Sequence, residues 1–388
     1  MDRSQRSDPA AIKAALIQAA RDRGVRAVAI AEAHPDNSSM ERMREAFARG
    51  DYKTWGYDEG YARAAADPDV ILAGARSVIC IALPYATPAP ARTRLQGRVS
   101  NYAWSSDYHR RLRTLLAELA ALIDSVAGSS VTAIACDTKP IAERAFAARA
   151  GIGWIGKHTN LIVPKDGSYV FLGEIVTTLA LPADAPLRKS CGSCSRCVDA
   201  CPTGALRGDY TIDASRCIAD LTQRTDTIPR SLRALIGDWV WGCDICQEVC
   251  PPTQRAGMRG DATMAPLEPT VATPMLTELL GLRSGEFKRR YKPTAMGWRG
   301  AAVLRRNAAV ALGNALDRSS VGALAHALCN DPNRMVRGHV AWALGRIGSP
   351  PALAALREHR ASEPDVGVRA EIDAALEPFP TLAPLQQP

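Results

Sequence analysis

Four cysteines fall within eleven positions in CGSCSRCVDACP, residues 191–202, and the run closes on Pro202. The spacing C-x2-C-x2-C-x3-C-P is the bacterial ferredoxin run, in which three thiolates take three corners of a [4Fe-4S] cubane and the fourth ligates another cluster. A second run is therefore required. CDICQEVCP supplies it with Cys243, Cys246, Cys250 and the closing Pro251, and Cys217 stands 26 residues ahead of Cys243. Exchange of the fourth ligands gives one cluster Cys191, Cys194, Cys197 and Cys250, and the other Cys201, Cys217, Cys243 and Cys246. No thiolate of the two runs is left over. Structural zinc also uses C-x2-C pairs, but it has no use for an x3-C-P ending that occurs twice. Two neighbouring cubanes make an electron relay, so the substrate chemistry belongs elsewhere in the chain.

The other three cysteines, Cys80, Cys136 and Cys329, stand alone in apolar runs and read as small buried hydrophobes. No stretch offers about 18 uninterrupted apolar residues, and Met1 to Arg26 mixes charges with short apolar pieces. The expectation is a cytoplasmic protein with no membrane partner, in which eleven cysteines serve metal or redox chemistry and not disulfides. A length of 388 residues exceeds one ordinary core and implies two or three domains.

Hydrophobic periodicity orders the rest. Residues 9–23 read as an amphipathic helix closed by Gly24, and VRAVAIAEA after it as a strand. RSVICIALPY (76–85) and VTAIACD (131–137) read as strands, separated by a helical period from Asp107 to about Val126. The short helix IAERAFAARAG and two strands joined at Asp166-Gly167 complete an α/β domain of mixed topology over residues 1–185. Residues 186–256 hold the ferredoxin-like module. Within 280–380, Leu304-Arg305, Val336-Arg337 and Val368-Arg369 recur every 32 residues, with Ala311-Leu312, Ala343-Leu344 and Ala375-Leu376 in the same register. That pattern predicts three helix pairs stacked as a HEAT-like solenoid, and an α+β chain overall.

No G-x-G-x-x-G follows a strand and no G-x-x-x-x-G-K-[ST] occurs, so no nucleotide site is visible. CDTKPIAERAFAARAGIGWIGKHTNLI, then FLGEI, then the double cysteine run and the repeat tail resemble the epoxyqueuosine reductases over nearly the whole chain. The resemblance implies reduction of the epoxide of epoxyqueuosine to queuosine at the wobble position of tRNA, the last step of queuosine synthesis. It also implies base-off cobalamin in a nitroreductase-like N-terminal domain, and two [4Fe-4S] clusters fed by an external low-potential electron donor. Such chemistry suits these cofactors, since epoxide opening needs a strong nucleophile or reductant and low-potential electrons.

The resemblance places the proton-donating acid at Asp137, where desolvation at the end of an apolar strand is expected to raise its pKa. It places the cobalamin contacts at Asp137, Trp154, Lys157, His158, Asn160, Leu161, Leu172 and Asp244, and sets NYAWSSDYH near the active site, with Tyr102 or Tyr108 approaching the substrate. Residues 51–68 depart from the glycine and histidine-bearing stretch of the family.

Charge is concentrated in the tail. Residues 281–360 hold fourteen Lys and Arg against four Asp and Glu, within a chain whose net charge is +8, so the remainder is slightly acidic. Arg305, Arg306, Arg334 and Arg337 are the candidate contacts to tRNA phosphates. Two other readings compete: a corrinoid and iron-sulfur reductase of a small molecule, as in reductive dehalogenases, and a non-enzymatic HEAT-type nucleic-acid binder with structural clusters. The proline-rich end of the solenoid suggests a monomer.

Overall fold

The computed structural model describes residues 8–127, 129 and 131–378. The chain passes back and forth between two compact units. The first comprises the chain up to Pro88 with Asp107–Ser215 and Ile245–Ala265, and the second comprises Ala89–Ser106, Arg216–Asp244 and the chain from Pro266 onward.

In the first unit, helix α1 (Pro9–Arg21) starts at Asp8, whose carboxylate accepts the Ala10 N–H at 3.1 Å. Proline at the first helical position forfeits an N–H that has no helical partner anyway. Gly24, at φ +85°, lets the chain turn from this helix into β1 (Ala27–Glu32). Helices α2 (Asn37–Ala48) and α3 (Glu59–Ala66) precede β2 (Ser77–Pro84), and α4 (Tyr108–Ala127) precedes β3 (Thr132–Ala135). Helix α5 (Glu143–Arg149) and then β4 (Val170–Thr177) follow.

The strands form one sheet in the order β1-β2-β4-β3. Every pairing in it is antiparallel, which corrects the expected mixed topology. The central strands are covered on both faces, so β2 is buried throughout and reads as a continuous apolar run without alternation. Helix α4 passes close over β4, because a Cβ on Gly173 would meet Leu116 Cδ1 at 2.9 Å. The opposite face packs on Phe146 and Ala147 of α5.

The two strands expected either side of Asp166-Gly167 do not pair with each other. Leu161–Ile162 pairs back onto Trp154–Ile155, and β4 pairs in the main sheet. Lys165 and Gly167 both have positive φ, and the Asp166 and Gly167 amides bond to the Val163 carbonyl, which closes a tight turn. A side chain on Gly167 would strike Thr253 Cα at 2.6 Å. Cys80 and Cys136 are buried as expected, but Cys329 is exposed.

In the second unit, α6 (Ala301–Ala315), α7 (Val321–Asn330), α8 (Arg334–Ile347), α9 (Pro350–Arg360) and α10 (Val366–Leu376) build the solenoid. The 32-residue register marks its seam: Leu304, Leu312, Val336, Leu344 and Val368 are all buried. Gly313 and Gly345 share that register. A Cβ on Gly313 would meet Ala343 Cα at 2.9 Å, and one on Gly345 the Ala375 carbonyl oxygen at 2.5 Å. Close helix approach thus fixes glycine at this position in the first two repeats. The second helix of the third expected pair falls outside the described residues. Among the described residues, no helix is long and apolar enough to cross a membrane.

Candidate active site

Strand β3 ends at Ala135, and the chain turns at Asp137 with φ +48°, a conformation uncommon outside glycine. The Thr138 N–H bonds to the Cys136 carbonyl and closes a strained γ-turn. Strain of this kind persists where neighbours over-determine the backbone. Three groups hold Asp137: Tyr108 donates its hydroxyl proton to Oδ2 at 2.8 Å, His109 Nε2 lies 3.0 Å from the same oxygen, and Glu143 Oε1 accepts the Asp137 N–H at 2.5 Å. Asp107 takes the other ring nitrogen of His109 at 2.6 Å. Tyr108 stacks on Phe171 of β4 with 4.1 Å between ring centroids, so the sheet sets the height of the cluster.

This arrangement reverses the expected electrostatics. The His109 hydrogen bond holds the Asp137 carboxyl below its ordinary value against the opposing effect of burial, and Tyr108 adds to the lowering. The side chain is also 55 % exposed, so desolvation is incomplete. Burial alone would lower His109, but its bonds to Asp107 and Asp137 raise it to about 9. At neutral pH the proton sits on the imidazole, and Asp137 is a carboxylate beside it. His109 and Asp107 were not singled out from the sequence, although Asp-Tyr-His at a helix start was the available signal. Tyr102 lies in the second unit, where its hydroxyl accepts from Trp241 Nε1 at 2.9 Å.

The loop from Trp154 to Leu161 turns tightly, with the Gly156 N–H bonded to the Asn160 carbonyl and Thr159 at φ +65°. His158 is buried and neutral, since burial pulls it down to about 4. Its Nδ1 accepts the Asn160 N–H at 3.2 Å. His158 Nε2 and Trp154 Nε1 are buried with no protein partner. Lys157 instead reaches the cysteine segment, donating to the Gly192 carbonyl at 3.0 Å. Leu161 and Leu172 belong to the apolar cluster beneath the sheet. Asp244 is buried in the second unit, accepting the Ser100 hydroxyl at 2.5 Å and the Asn101 N–H at 2.8 Å. Its carboxylate therefore pins that backbone.

Cys250 stands in extended backbone immediately before Pro251, which opens a short helix at its first position. Burial raises the Cys197 thiol to about 11, and the negative charges of Cys191 and Cys250 add to it. Cys250 is raised by burial and by Cys191 and Cys194. These four sulfurs thus share one electrostatic neighbourhood. Among the described residues, no three His, Cys, Asp or Glu converge on a single metal ion.

Known proteins carry the same elements in the same order. The family described as "Epoxyqueuosine reductase QueG, DUF1730" matches residues 66–138, a "4Fe-4S double cluster binding domain" matches 190–253, and "HEAT repeats" match 300–377. An epoxyqueuosine reductase from Bacillus anthracis is 35 % identical, over 94 % of this chain and 97 % of its own. The chain belongs to the epoxyqueuosine reductase family. A crystal structure of epoxyqueuosine reductase with an epoxyqueuosine-modified tRNA-Tyr stem loop superposes with TM-score 0.88 at 34 % identity, covering 94 % of this chain and 98 % of that one. A Bacillus subtilis epoxyqueuosine reductase, described with the catalytic loop of its aspartate swung out of the active site, gives TM-score 0.86 at 33 % identity over 94 % and 98 %.

In this epoxyqueuosine reductase family member, three of the four arginines expected to face RNA are structural. Arg306 is fully buried, donating to the carbonyls of Leu221, Arg224 and Asp226 at 2.8–2.9 Å, and burial lowers it to about 9. Arg305 grips Asp331 through two nitrogens at 2.6 and 3.2 Å, and Arg337 grips Glu363 at 2.7 and 2.8 Å. Arg306 is closed to solvent, and Arg305 and Arg337, already paired, keep only 13 % and 12 % of their side chains exposed. Only Arg334 of the four is exposed, with 77 % of its side chain in solvent.

Proposed function

We propose that this chain reduces epoxyqueuosine to queuosine in tRNA, with electrons relayed through two [4Fe-4S] clusters to a cobalamin-dependent active site at Asp137. The observation that carries the reading is the TM-score of 0.88 over 94 % of the chain to the reductase solved with the modified stem loop. The Cys191, Cys194, Cys197 and Cys250 set is supported by the mutual effect of these thiols. The Cys201, Cys217, Cys243 and Cys246 set rests on spacing. The double-cluster match over residues 190–253 spans both sets.

The N-terminal segment, 1–185, is the nitroreductase-like cobalamin domain in this reading, 186–256 the cluster module and 280–380 the tRNA-facing repeats. The donor set would suit a corrin: Trp154 Nε1 and His158 Nε2, buried without a protein partner on the loop that also carries Asn160, would serve its amide-bearing rim. Bound cobalamin supplies the low-valent cobalt that opens an epoxide. The chain's own residues handle protons. His109 carries one at neutral pH and passes it through Asp137, Tyr108 orients the carboxylate, and Asp107 fixes the imidazole. The exposed, strained turn suits a loop that moves between resting and engaged positions, as the description of the Bacillus subtilis structure suggests.

Arg334 is the retained phosphate contact, joined by the exposed Arg283, Lys288 and Arg289 near the helix Ser284–Arg290. The protein acts as a cytoplasmic monomer served by an external low-potential donor. Anaerobic reconstitution with iron, sulfide and cobalamin should yield a protein whose visible spectrum reports both cofactor types, and nucleoside mass analysis of treated tRNA should show queuosine replacing epoxyqueuosine. Absence of corrinoid binding rejects the mechanism, and conversion of free small-molecule epoxides with tRNA untouched favours a small-molecule reductase.

A further inference from the structure

Of the seven tryptophans, all within the described residues, six are buried or half-buried and Trp298 alone is exposed. It is 50 % exposed, at the end of a 3-10 turn, Ala295–Trp298, just ahead of α6. An apolar side chain standing singly in solvent would call for no explanation. Trp298 does not stand singly. The guanidinium carbon of Arg299 lies 3.6 Å from the centre of its ring, so a cation covers one face of an exposed π system. Arg299 is itself half-buried, and its Nε has no partner in the protein.

The backbone under this pair is locked. The Thr294 hydroxyl donates to the Tyr291 carbonyl at 2.8 Å and accepts the Met296 N–H at 3.1 Å. The Gly297 N–H bonds to the Thr294 carbonyl at 3.0 Å, and Lys292 Nζ donates to the Gly297 carbonyl at 3.2 Å. A Cβ on Gly297 would strike the Lys292 carbonyl oxygen, so glycine is what permits the closure. These bonds fold the turn back onto the end of the helix Ser284–Arg290, whose last turn carries Lys288, Arg289 and Arg290. Arg290 is paired with Glu286 at 2.7 Å, while Arg283, Lys288 and Arg289 are exposed. A ring and a set of cations are therefore presented together on a rigid support.

Cations alone bind any polyanion, and a double-stranded stem would satisfy them without a ring. A ring backed by a guanidinium adds a different preference, because it accepts another flat π system. In RNA such faces are offered by unpaired bases, which stack on aromatic side chains and on arginine planes, whereas a duplex keeps its base faces inside its own stack. We propose that Trp298 and Arg299 form a stacking subsite for one unpaired nucleobase of the bound tRNA, with Arg283, Lys288 and Arg289 holding the neighbouring phosphates. The subsite rests on the chain acting on tRNA, and it adds recognition of a loop to contacts that a stem alone could satisfy.

Binding of the reconstituted full-length protein to an epoxyqueuosine-modified anticodon stem loop, and to a blunt duplex of the same stem, tests the subsite. Trp298→Ala should weaken the stem loop roughly fivefold or more and leave the duplex unchanged. Its salt dependence should match that of the wild type, because no phosphate contact is lost, whereas Arg289→Ala should weaken both RNAs and flatten the slope. Trp298→Phe keeps a ring and should recover most of the loss. Abasic replacement at each loop position in turn should find one nucleotide whose removal weakens the wild type and has no further effect in Trp298→Ala. Wild-type affinity of Trp298→Ala for the stem loop overturns the subsite, as does an equal loss on the duplex, a loss that Trp298→Phe does not recover, or abasic effects that all persist in Trp298→Ala. Wild-type protein that binds neither RNA overturns the tRNA reading as well, so the two failures are told apart.

Discussion

The Asp137 turn and the repeat arginines are both dense in charge, yet they put it to opposite uses. At Asp137 the partners Tyr108, His109 and Glu143 hold a carboxylate in strained backbone while leaving 55 % of its side chain in solvent. In the repeats, Arg305, Arg306 and Arg337 are engaged by carbonyls and carboxylates and largely withdrawn from solvent. A charge that is oriented and open has something left to bind or donate. A charge that is oriented and closed organises the fold.

The largest test of that contrast is Arg306→Met. Removing a buried cation that serves three backbone carbonyls leaves those groups unsatisfied, and urea unfolding should register a loss of about 3–5 kcal/mol. A change below about 1 kcal/mol would mean that the arginine is no more than a surface charge.

A smaller effect is expected from His109. Its pKa is raised from 6.5 to about 9, so the native state binds this proton more tightly than the unfolded chain does. The stability so gained is complete below about pH 6.5 and is lost as pH rises through about 9. Unfolding curves of wild type and His109→Gln should therefore converge on the alkaline side, and parallel curves would break the assignment.

The smallest effect on stability belongs to Arg334→Ala. Its exposed pair with Asp365, 3.3 Å apart, is screened by solvent and adds little to stability. Its effect should appear in RNA binding instead, as a weaker affinity for the modified stem loop and a shallower dependence on salt. Unchanged salt dependence would remove Arg334 from the RNA face.

Much of this was legible in the sequence. The cysteine runs were, because a cubane dictates ligand spacing directly, and the solenoid was, because Leu304-Arg305, Val336-Arg337 and Val368-Arg369 recur at its helix seam. The fate of the arginines was not, since a guanidinium looks the same in sequence whether solvent or a carboxylate meets it. A signal did exist: Asp331 and Glu363 stand 32 residues apart and each lies 26 residues beyond its arginine, so the ion pair repeats with the helices. The protonation of Asp137 was misjudged for a related reason. Its partner His109 lies 28 residues away on another element, and only the packing of α4 against β4 brings them together.

The central claim is that Asp137 is the acid through which this chain reduces epoxyqueuosine in tRNA. It is tested most directly by nucleoside mass analysis of single-turnover reactions of reconstituted wild type and Asp137→Asn side by side. The wild type should convert epoxyqueuosine to queuosine. Asp137→Asn should keep the same visible cofactor spectrum and lose about 10²–10⁴-fold in rate. Queuosine formed by Asp137→Asn at the wild-type rate would contradict the account.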